Sequence, residues 1–140
     1  MKYLLVSIAL VGAPALADDI RVLGTTLSSE RIRNELLGVH LEGVSGAEDS
    51  FWTECIEPDG KTIYEFAGAT LKGYMRVGEN GLACFQYEGN ERSGANCFIV
   101  MREGEGNYVF TSSSGTGKLF RTTRVVRNVT ECPVASAGLS

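Results

Sequence analysis

The cysteines carry the clearest chemistry in this chain of 140 residues, which contains four of them and one histidine. Cys55, Cys84, Cys97 and Cys132 have no C-x-x-C spacing, and His40 stands apart from all of them. A zinc site or a reactive thiol pair therefore lacks its ligand or motif pattern. Oxidation into disulfides is the remaining chemistry, and four thiols allow three pairings. Local geometry favours one. Leu82 to Tyr87 and Ala95 to Met101 read as strands separated by the turn formers Glu88 to Gly94. A hairpin folded about the Asn90–Glu91 midpoint sets Cys84 directly opposite Cys97, within disulfide reach. Cys55 and Cys132 are then left for each other.

Other reactive side chains are sparse. His40 would need a nucleophile or further metal ligands close by, and its spacing offers neither. It reads as a half-exposed strand residue facing Glu42. There is no Ser/His/Asp order, phosphate loop or calcium loop. Neither enzyme activity nor a metal nor a cofactor is expected. Trp52 and Glu54 fall on one strand face. They could line a ligand mouth, the indole stacking and the carboxylate orienting, or form a barrel-end tryptophan capped by a salt-bridged glutamate. Tyr64 and Tyr74 complete the candidate ligand-binding set.

Charge narrows the partners. Lys118, Arg121, Arg124 and Arg127 lie in a stretch, 111–130, that contains no acid. Strict strand alternation points Lys118 and Arg124 one way and Arg121 and Arg127 the other, so pairing with carboxylates such as Glu42 or Glu54 is expected for one pair. The formal net charge of −4 becomes −5 without Lys2. A mildly acidic chain without a basic cluster is not expected to bind nucleic acid.

The elements that position these residues follow from patterning. Met1-Lys2, the apolar run Tyr3 to Val11, and Pro14 followed by Ala15-Leu16-Ala17 read as a signal peptide of residues 1–17. No stretch is long enough for a membrane span, so a periplasmic or secreted protein is expected. Residues 18–37 form an arm and a short helix capped by Ser28 or Ser29, with Ile32, Leu36 and Leu37 on one side and Gly38 at its stop. The arm, Asp18 to Leu27, carries few apolar residues to pack. Residues 38–132 form the folded domain, and residues 133–140 a disordered tail. Across that domain, about eight alternating runs recur every ten residues or so, separated by turns such as Pro58-Asp59-Gly60. The expectation is an all-β antiparallel meander closed into a barrel, preceded by the helix and stapled by two disulfides; closure removes both sheet edges and suits a monomer.

Gly43, Trp52-Thr53-Glu54, Asp59-Gly60, Tyr64, Gly73-Tyr74-Met75, Cys84-Phe85-Gln86-Tyr87 and Cys97-Phe98 together resemble a pattern of small exported proteins of Gram-negative bacteria. The likeness spans Leu37 to Val126 and is similar to calycin-type barrels, the grouping of lipocalins, avidins and a bacterial protease inhibitor. Met75 stands where that pattern has a barrel-floor tryptophan, which implies that the tryptophan is replaced or moved. The resemblance implies a fold and says little about function. Non-enzymatic binding is the expectation, either of a small amphipathic ligand in the barrel mouth or of a protein partner. In the second case the arm would act as a protease inhibitor's does.

Overall fold

A computed structural model describes residues 24–46 and 50–133. The expected signal peptide 1–17, the arm residues 18–23 and residues 134–140 of the expected tail lie outside the described residues.

The first described element is β1 (Thr25–Thr26), followed by α1 (Ser29–Leu36). Ser28 caps α1 by accepting from the Arg31 amide at 3.3 Å, and Gly38, at φ 71°, turns the chain out of the helix. Eight strands then follow: β2 (Val39–Ser45), β3 (Ser50–Ile56), β4 (Lys61–Phe66), β5 (Ala69–Val77), β6 (Leu82–Tyr87), β7 (Asn96–Glu103), β8 (Asn107–Ser112) and β9 (Leu119–Arg127). Each pairs antiparallel with the next, and β9 returns to pair with β2. The result is a closed eight-stranded meander, as the regular turn spacing predicts.

The helix precedes the barrel strands but is itself preceded by β1. Thr25 and Thr26 pair with Arg102 and Met101 of β7, beyond the point where β6 begins. Leu27 donates its amide to the Val100 carbonyl at 2.8 Å and is only 2% exposed. The expectation that the arm has little to pack is therefore corrected at its end: Leu27 is a core residue.

The barrel interior divides into two halves. At the helix end, Leu27, Ile32 and Leu36 pack with Val39, Ile56, Met75, Val100 and Tyr108 and fill the lumen. Ser29 fastens α1 to the β5–β6 turn, donating to the Gly78 carbonyl at 2.5 Å and accepting from the Gly81 amide at 3.0 Å. Glu35 accepts from Arg31 at 2.6 Å and from the Tyr108 hydroxyl at 2.9 Å, and Arg127 donates to that same hydroxyl at 2.6 Å. This end is sealed.

Both disulfides form as the hairpin geometry predicts. Cys84 and Cys97 are register partners 4.0 Å apart at Cα. Cys55 joins Cys132 with a Cα separation of 5.8 Å, fixing the end of the described chain to the outer face of β3.

One expectation about the arginines changes. The β2–β9 register slips between Glu42 and Gly43, which pair with Arg124 and Thr122 and leave Thr123 as a bulge. The bulge resets the alternation, so that Phe120, Thr122 and Val125 all serve the interior. Arg121 and Arg124 consequently share the outer face instead of opposing each other. Arg121 pairs with Glu103 at 2.8 Å and Arg124 with Glu42 at 3.1 Å.

Candidate functional site

The half of the lumen away from α1 is open. A cavity of about 260 Å³ lies there, with Asn90, Asn96, Ser114, Thr116 and Lys118 around its mouth. Its walls are aromatic because alternate positions on the surrounding strands present rings inward: Trp52, Tyr64, Phe85 with Tyr87, Phe98 with Phe110, and Phe120. The rings meet largely edge to face. Trp52 lies 5.9 Å from Phe120 and 6.4 Å from Phe110, and Phe98 lies 5.6 Å from Phe120, centroid to centroid. Such contacts hold rings in place without filling the space between them.

Gly43 makes room for the indole. A Cβ at this position would come within 2.6 Å of Trp52 Cζ2 and 2.2 Å of the Arg121 carbonyl oxygen. Trp52 is 3% exposed, and its Nε1–H has no acceptor among the described residues. A buried donor without a partner is uncommon in a native fold.

Glu54 also lines the cavity and is 4% exposed. The Tyr87 hydroxyl donates to its Oε2 at 2.6 Å, and the Thr62 hydroxyl contacts its Oε1. Across the strands it faces Leu41 and Tyr64. None of the ion pairs among the described residues includes it. The expected salt bridge is thus absent among these residues, because the β9 arginines point outward or toward α1. Burial pushes the Glu54 carboxyl up to about 7, against the opposing pull of the Thr62 and Tyr87 hydrogen bonds. Tyr64 is raised to about 12, by burial first and by the nearby Glu54 charge second. Tyr87 is raised further for the same reasons.

Three of the four candidate residues therefore converge: Trp52, Glu54 and Tyr64 line one cavity. Tyr74 does not join them. It sits on β5 between the inward Gly73 and Met75, so alternation turns it outward, where it is 48% exposed beside Lys61. Met75 packs in the filled half of the barrel and Trp52 in the open half. Sequence reasoning missed Tyr87, although its shared face with Phe85 was a usable signal. Thr62 gave none. His40 is half-buried on β2, opposite Cys55 and Val126, away from the cavity lining. Among the described residues, no group of three His, Cys, Asp or Glu side chains could hold a metal ion. No helix among them is long and apolar enough to cross a membrane.

Compared with known proteins, the chain matches no family model, no curated protein and no solved structure.

Proposed function

We propose that this chain is an exported, non-enzymatic binding protein whose barrel takes a small amphipathic molecule. The observation that carries this reading is the open cavity of about 260 Å³, aromatic within and polar at its mouth. An apolar cavity of roughly 150 Å³ is enough for benzene, so this one suits a compact body of one or two rings. A few polar groups, Glu54 inside and the residues at the rim, can orient a ligand among these rings. The unpartnered Trp52 Nε1–H offers a donor inside. Two disulfides are compatible with an oxidising, extracellular compartment, which supports the export reading of residues 1–17. A closed sheet without free edges supports a monomer, and the same architecture supports the calycin-like likeness. The alternative, an arm that inhibits a protease, loses ground because Leu27 is built into the core.

Trp52 is the only tryptophan in the chain, so its emission reports on the cavity alone. Titration with 2-phenylethanol should change that emission saturably. A flat response to this probe, and to similar one-ring amphiphiles, would contradict the reading.

A further inference from the structure

We propose that the cavity selects a ligand bearing a cationic amine, with the ammonium group placed at Glu54 and the apolar body against the aromatic walls. This inference rests on the cavity-binding reading and names its ligand class.

Glu54 has no countercharge among the described residues. A glutamate this buried is rarely left without a charged partner. Here the polar contacts among the described residues are two neutral hydroxyls, from Thr62 and Tyr87. Each carboxylate oxygen can accept about two hydrogen bonds, so both oxygens keep accepting capacity. Proton counting adds to this. The Thr62 hydroxyl also lies 2.8 Å from the Cys55 carbonyl oxygen, which can only accept. One hydroxyl proton serves both contacts only as a shared, weaker bond. In the free protein, the Glu54–Thr62 contact is satisfied if Glu54 is the neutral acid and donates to Thr62, which in turn donates to Cys55. A carboxyl held near 7 by burial is consistent with that arrangement.

An ammonium group entering the cavity reverses the balance. It supplies the missing positive charge, Glu54 releases its proton to solvent wherever it still carries one, and the ammonium donates to the carboxylate oxygen. The tyrosine rings beside Glu54 provide π faces to the same cation; Tyr64 and Tyr87 lie 5.6 Å apart, centroid to centroid. The charged and titratable groups sharing the cavity with Glu54 are Tyr64, Tyr87 and Lys118. Lys118 stands at the mouth, where it repels a cation and leaves the floor as the favoured place for the ammonium end.

Three probes of one shape and different charge separate the possibilities: 2-phenylethylamine, 2-phenylethanol and phenylacetate, each titrated by Trp52 emission and calorimetry. The amine should bind at least about tenfold more tightly than the alcohol at pH 8.5, with phenylacetate weakest. Its affinity should fall roughly thirtyfold at pH 5.5, because Glu54 must then lose a proton to bind it. Glu54→Gln should erase the preference, so that amine and alcohol bind alike. An amine no tighter than the alcohol, or phenylacetate binding best, would overturn the cation inference and leave the cavity reading standing. A Glu54→Gln variant that keeps the full amine preference would do the same. Failure of all three probes to bind would overturn both.

Discussion

Glu54 is the residue on which most of the chemistry turns, and its burial has a consequence for stability. Its carboxyl titrates near 7 in the fold, against the ordinary value of 4.5. The folded state therefore holds a proton that the unfolded chain releases over this range. The associated stability is fully present below about pH 4.5 and is lost as pH rises through about 7. At about 1.4 kcal/mol per pH unit this amounts to ~3 kcal/mol. Glu54→Gln mimics the neutral acid, so the variant should resist urea better than the parent at pH 8.5 and about equally at pH 4.5. Equal midpoints at both pH values would show that the carboxyl is not held neutral. Gly43 gives a second residue-scale expectation. Gly43→Ala should cost roughly 1–3 kcal/mol, because a Cβ there runs into the Arg121 backbone carbonyl and the indole, and the paired strand must shift to admit it; thermal melts would measure it. Trp52 and Glu54 were legible as a pair because strand alternation puts both on one face. Their burial and hydroxyl partners were not, since Thr62 and Tyr87 arrive from strands whose register the sequence does not state.

At the scale of elements, turn chemistry and alternation made all eight barrel strands legible, along with the helix and its serine cap. Two features escaped. The Thr123 bulge shifts side-chain parity within β9, and a period-two pattern cannot contain it. The short β1 has only two residues, too few for any periodicity. The correction at the arm can be tested directly. Leu27→Ala should lower stability by about 2–4 kcal/mol, as expected for a fully buried leucine, whereas an unpacked arm would tolerate it. The disulfides differ in the same physical terms. Cys55–Cys132 closes a separation of 77 residues and Cys84–Cys97 one of 13. Loop-closure entropy assigns them about 4.5 and about 3 kcal/mol. Replacing the first pair with alanine should therefore lower the denaturation midpoint more than replacing the second; the reverse order would place the effect in the native state.

For the whole molecule, closure of the sheet creates a lumen, and α1 fills only one end of it. Alternation alone does not say whether the inward side chains fill that space. Residue volumes do not decide that; the position of α1 does, because Ile32 and Leu36 pack one half with Met75 and leave Phe85, Phe98 and Phe120 around a gap. On the proposed reading, this division places a ligand at the end opposite α1. Methyl NMR of residues 18–140 during titration with 2-phenylethanol tests that placement most directly. Binding in the open half predicts saturable shifts at Leu41 and Leu71, which line the cavity, with Leu27 and Leu36 at the sealed end unmoved. Shifts confined to the sealed end or to the outer face around Tyr74, or none at all, would contradict it.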